Sequence, residues 1–269
     1  MNENIYLKNI SGDKFTNDPD DSMKAREHYL KYWGDHWKEK ECDNMLFRGD
    51  TIISFNTVAG CMIRLLPIYE EKDFSMPSGS KERLDIIMDS KEVEDDLKSN
   101  FQTFHQYYHT LANFMPLVKL KTYVARKESP YLQFVKSDDY HDFPDLFFIA
   151  IKKYYTGERD NTKFNHQDNK DFFDSFGKDK DGWKAFVEKN YLQDFFEDKQ
   201  YNKVVELSPN NIKMPYQKLG KMNDVDKKNC IEAIGKFLIK AIKIIENRAR
   251  RFEKIEKEHY GKNQNVEEG

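Results

Sequence analysis

Apolar side chains recur every three or four residues through most of the chain, and strict alternation is confined to short runs. That pattern predicts helices joined by polar loops, with little sheet. The first stripe, Ala25, Tyr29, Tyr32, Trp33 and Trp37, predicts a helix starting near Ser22, with His28 and His36 at its packing edge. Ahead of it, residues 4–10 alternate weakly and predict an edge strand. Ile52, Ile53, Phe55, Val58, Ala59, Met62 and Leu65 predict a second helix, apolar on more than one side and therefore central, with Asp50 as its N-cap.

The stretch 90–157 holds the densest aromatic and aliphatic content. Ser90 is read as the cap of a helix carrying Val93, Leu97, Phe101, Phe104, Tyr108 and Leu111 on one stripe, with Pro116 ending it or just beyond. At about 100° per residue those six positions fall within roughly 80° of one another, while His105 and His109 lie on average about 100° from the stripe's centre. Alternation at 117–124 and 131–135 predicts a hairpin. Asp142 then caps a largely buried helix with Pro144 in its first turn and Gly157 at its left-handed end. Beyond it come a short helix at Phe172, Phe173 and Phe176, and a longer one carrying Trp183, Phe186, Val187, Tyr191, Phe195 and Phe196. A strand is predicted over 203–207, and the longest helix over 224–259, its charged end on the surface and a fraying tail after Gly261. The expected fold is mainly α: a single multi-helix domain over 1–261, with a subdivision point near 160–180, at most a small β-hairpin or a few short strands, and a disordered tail at 262–269.

Composition narrows the class. With 269 residues, 38% hydrophobic and 14% aromatic, the chain can bury a sizeable core and is not disordered overall. A net charge of −3 gives no bulk attraction to nucleic acid, so a charged partner must be met by a local patch. Three cysteines, Cys42, Cys61 and Cys230, are too far apart for a CxxC-type site and odd in number for disulfides, which points to a reducing cytoplasm. No apolar run is long enough to span a membrane and no export leader is legible, so a membrane is not an expected partner.

Candidate chemistry is sparse. His105 and His109 stand one helical turn apart, a spacing at which both can reach one divalent metal ion. The HExxH signature is missing, so a third ligand would come from His141 or Asp142, and the flanking surface position remains the stronger reading. Arg159 and His166 fit the loose R-x(4–6)-H pattern that resembles HEPN-type ribonucleases, although nine Arg and seven His make one such match expected by chance. Arg48-Gly49-Asp50 is read as a helix cap rather than an adhesion triplet. Arg248, Arg250, Arg251 and Lys254 are interleaved with Glu246, Glu253 and Glu256, and read better as a salt-bridged helix face than as a phosphate patch.

The phrase running from Tyr108 through His109, Thr110, Leu111, Ala112, Asn113, Phe114 and Met115 to Pro116 resembles the "YH-(T/S)-(L/I)-G-N-(F/I)-x-P" phrase of unannotated bacterial cytoplasmic families, with Ala112 in place of Gly. The upstream phrase at 50–57, DTIISFNT, is similar to the same context. His109, Thr110, Leu111 and Asn113 also resemble the HTLGNL segment of HNH-like nuclease domains, a likeness that would make His109 and Asn113 catalytic. The expectation is therefore a cytoplasmic bacterial or phage protein that binds a protein or nucleic-acid partner, in phage defence or counter-defence. The alternative is a nuclease, metal-dependent around His105, His109 and His141 or metal-independent around Arg159 and His166. No cofactor other than a divalent metal is implied, and the oligomeric state is not legible.

Overall fold

A computed structural model describes residues 4–14, 17–41, 46–119, 143–158, 173–208, 212 and 222–260. Among them are helices α1 (Met23–Glu41), α2 (Phe55–Ile63), α3 (Ser80–Asp89), α4 (Asp95–Tyr108), α5 (Pro144–Tyr155), α6 (Asp179–Lys189) and α7 (Asp224–Tyr260). Strands β1 (Leu46–Thr51) and β2 (Phe114–Lys119) form a two-stranded antiparallel sheet, with Gly49 opposite Pro116 and Thr51 opposite Phe114. The mainly α class expected from periodicity is the one observed. α2 packs on α3, α4 on α7 and α5 on α6, while β1 lies against α1 and the 3-10 turn Pro19–Asp21. No described helix is long and apolar enough to cross a membrane.

Several boundaries differ from the sequence expectation, each for a local reason. Asp50 does not cap a helix. It lies in β1, where its Oδ1 accepts the Thr51 N–H at 2.8 Å, and the cap of α2 is Ser54, whose Oγ accepts the Thr57 N–H at 3.4 Å. Ser90 ends α3 instead of opening α4, because its hydroxyl turns onto the Glu92 carboxylate at 2.8 Å and α4 begins only at Asp95. Residues 5–7 form a 3-10 turn, tied by the Asn4 side chain accepting the Tyr6 N–H at 2.9 Å, so of the expected edge strand only an Asn9–Thr110 bridge exists. β2 occupies the start of the alternating run at 117–124 and pairs with β1, and residues 120–142, which hold the rest of the expected hairpin, lie outside the described ones. α6 stops at Lys189 because Asn190 turns its amide onto the Phe186 carbonyl at 2.8 Å and Tyr191 takes a positive φ of 54°. Phe195 then sits in a 3-10 turn, and of the strand at 203–207 only a Phe196–Val204 bridge forms.

Two residues read as peripheral are central. His28 is buried against the rings of Tyr32 and Phe252, both at 4.8 Å, and burial, helped by the Arg248 and Lys31 charges, holds its pKa well below the usual imidazole value. Arg248 is fully buried, whereas Arg250 pairs with Glu246 at 3.5 Å and Arg251 with Asp194 at 2.9 Å on the helix flank, as expected of a charged face. The Arg248 guanidinium donates to the carbonyls of Ala112 (2.6 Å), Phe114 (2.7 Å), Tyr191 (3.0 Å) and Asn190 (3.1 Å) and lies over the Phe252 ring. A planar cation with several donors satisfies in one place the carbonyls that two chain turns leave inside the core. Through it α7 holds the start of β2 against the loop after α6.

Candidate functional site

The two phrases singled out in the sequence, 50–57 and 108–116, dock on each other. Asn113 makes the joint: its Oδ1 accepts the Ile53 N–H at 3.0 Å, and its Nδ2 donates to the carbonyls of Ile53 (3.0 Å) and Tyr108 (2.9 Å). Its own carbonyl accepts the Ile52 N–H at 2.7 Å. Asn113 is 1% exposed, and its amide is occupied by backbone groups, which is the work of a structural residue. This joint brings Tyr108, at the end of α4, over the end of β1.

There Tyr108 meets a cluster of carboxyl groups that the sequence did not reveal. Asp20, in the Pro19–Asp21 turn, is 6% exposed, and its Oδ1 has no hydrogen-bond partner. The Thr51 N–H, which Asp50 Oδ1 accepts, also faces the Asp20 carboxyl, so the two acids flank one amide. Asp21 accepts the Gly49 N–H at 3.2 Å, and the Tyr29 hydroxyl donates to the Asp20 carbonyl at 3.1 Å. Gly49 is required for this approach, because a Cβ there would run into the Tyr29 hydroxyl and the Asp20 carbonyl.

Electrostatics follow from the crowding. Burial, then the Asp50 and Asp21 charges, push the Asp20 carboxyl up to about 7, against the pull of the amides of Asp20 and Thr51. Burial and the same acids hold the Tyr29 and Tyr108 hydroxyls well above the usual phenol range, and Tyr108 bonds to the side chains of Ser54 and Thr51. Asp21, Asp50 and Ser54 are half-buried, so the recess opens to solvent on their side.

Phe55 and the two histidines adjoin Tyr108. The Phe55 ring is 5.9 Å from Tyr108 and 4.9 Å from His105. His105 Nε2 sits 3.2 Å from the Ser80 hydroxyl, and burial lowers its pKa against the opposing effect of Asp85. His109 is not on the helix: it follows the last turn of α4 at φ −98°, ψ 63°, with its ring centroid 4.0 Å from that of Tyr108. Its Nδ1 is buried without a partner, and burial, then His105, brings its pKa down to about 4. His109 thus stands at the C-terminal cap of α4, one turn beyond His105. Among the described residues no group of three or more His, Cys, Asp and Glu side chains is placed to hold a metal ion. His141, Asp142, Arg159 and His166 lie outside the described residues.

Elsewhere, a cavity of about 260 Å³ between α7 and Glu206–Leu207 is lined by Lys236 and Lys240 together with Glu206 and Glu232. The large exposed apolar side chains among the described residues, Ile5, Met23, Leu30, Ile149, Val225 and Ile239, are distributed over four elements. Sequence reasoning missed Asp20 and Ser80 because each sits in a polar loop or at a helix start where Asp and Ser are ordinary; the pairing of Asp20 with Asp50 depends on chain segments meeting in space. In comparisons with known families, curated proteins and solved structures the chain matches none.

Proposed function

We propose that this chain is an acid–base enzyme of the hydrolase type, with Asp20 and Asp50 as its reacting pair. The observation that carries the reading is the Asp20 carboxyl, buried with one oxygen unpartnered beside a second, more accessible acid. Displaced titration of a carboxyl in a recess beside a specific charge is a mark of functional sites. Asp20, raised to about 7, keeps its proton near neutral pH and acts as general acid, while half-buried Asp50 takes a proton from water as general base. Tyr108, un-ionised, offers a hydroxyl at the edge of the same recess.

Three acids gathered in one place favour a neutral or cationic substrate, such as a glycoside or a peptide amide, and disfavour a polyanion at this position. The nuclease alternative therefore draws no support from this recess. A partner-binding surface would need a contiguous exposed patch, and the described residues converge on the acids instead. A cytoplasmic setting is part of the proposal, since Cys61 and Cys230 are buried thiols on different helices.

A panel of chromogenic neutral glycosides and aminoacyl anilides tests this, with Asp20→Asn and Asp50→Asn alongside. The expected result is turnover in the wild type, reduced by about 100-fold or more in each variant. Carbon-13 NMR of the aspartate carboxyls should find Asp20 titrating near 7. Turnover equal in wild type and both variants, or Asp20 titrating near 4, would overturn the reading.

A further inference from the structure

We infer that Ser80 and His105 form a nucleophile–base dyad that can take an acyl group from an ester, with residues other than the carboxyl pair. The inference goes beyond the acid–base reading and does not depend on it. Ser80 is the first residue of the ten-residue helix α3, and its Oγ lies 3.2 Å from Nε2 of His105 in the last turn of α4. That is the reach at which an imidazole takes a hydroxyl proton. α3 packs against α4, and the Phe55 ring, with its centroid 4.9 Å from the imidazole's, backs His105 from α2. Both Ser80 and His105 are half-buried, so the dyad is held by packing and still open to a substrate.

The surroundings suit the chemistry. Burial keeps His105 below its ordinary titration range, so near neutral pH it is the uncharged base the step needs. The Asp85 charge acts in the opposite sense and so favours the imidazolium that forms when the proton arrives. At the start of α3 the amides of Ser80, Lys81 and Glu82 have no acceptor inside the helix, which makes that end a place for developing negative charge. Glu82 folds its carboxylate back over Gly79 at the same end, where it competes with an oxyanion.

In the first step the Oγ–acyl carbon bond forms, the bond to the leaving alkoxide breaks, and the Oγ proton passes through His105 Nε2 to the departing oxygen. Water then adds to the acyl-serine, its proton passing by the same nitrogen to Oγ. Ester and water thus yield acid and alcohol with no further reagent.

The test is covalent labelling with a fluorophosphonate, which loses fluoride to a nucleophilic serine, read by intact mass and peptide mapping. Expected are one adduct on Ser80, none in Ser80→Ala, labelling slowed by about 100-fold or more in His105→Ala, and faster labelling in Glu82→Gln. Circular dichroism and thermal melts check the fold, and His105→Gln substitutes for the alanine variant where that fails to fold. Wild-type protein that stays unlabelled at Ser80, under conditions that fully label an active serine hydrolase, overturns the inference. Equal labelling rates with and without His105 also do so. Labelling does not involve Asp20 or Asp50, so either result leaves the acid–base reading standing.

Discussion

Replacing Asp20 with Asn should make the protein more stable at pH 8 and leave it little changed near pH 4. In the unfolded chain the Asp20 carboxyl titrates at its ordinary value of 3.8, and in the fold at about 7. Between those values the unfolded state has released a proton that the folded state still holds. Unfolding free energy therefore falls as pH rises, by up to about 1.4 kcal/mol per pH unit. Across the roughly three units between 3.8 and 7 the wild type loses about 4 kcal/mol on this account. An asparagine cannot ionise, and its amide can donate to Asp50, so the loss disappears. The assay is urea unfolding at pH 4.5, 6 and 8, followed by the fluorescence of buried Trp33 and Trp183. Titrating groups away from this cluster are common to both proteins and cancel in the difference. A difference that grows from about 1 kcal/mol at pH 4.5 to a gain of about 4 kcal/mol at pH 8 supports the reasoning. A flat difference, or a variant less stable at pH 8, would refute it. Loss of turnover alongside gained stability would mark Asp20 as a group kept at a cost to the fold.

Three further perturbations test the framework that holds the recess. Arg248→Met keeps the stem but leaves the carbonyls of Ala112, Phe114, Asn190 and Tyr191 without their cation, and should cost about 3–5 kcal/mol in denaturant unfolding. Asn113→Ala strips the buried Ile53 N–H and C=O of their partners; a loss of about 2–4 kcal/mol is expected, with faster amide exchange at Ile53. Gly49→Ala drives a methyl into the Tyr29 hydroxyl and Asp20 carbonyl and should cost about 1–3 kcal/mol by thermal melting, while shifting the Asp20 titration toward 4 as the acids separate.

Most of the helical frame was legible in the sequence. A stripe of apolar residues reports its own helix because the period is local, so the helices at Met23–Glu41, Pro144–Tyr155 and Asp224–Tyr260 stand close to where the pattern put them. Pro144 in a first turn and Gly157, at φ 71°, are likewise readable from their own covalent constraints. The caps were less legible: Asp50 and Ser54 are equally good cap residues on paper, and the pairing of β1 with β2 decided between them.

The candidate chemistry depends almost wholly on tertiary contact. Arg248 sits among surface charges in the sequence, yet its helical phase and two carbonyl-bearing turns from distant segments place it at the centre. His109 has metal-pair spacing from His105, but α4 stops before it, because Asn113 takes the Tyr108 carbonyl. Asp20 and Asp50 carry no joint signal along the chain, and neither do Ser80 and His105. Periodicity fixes which residues face inward, since it depends only on neighbours a turn away. Which acids come together, or which hydroxyl meets an imidazole, depends on distances between segments far apart in sequence, and those the packing of the core alone decides.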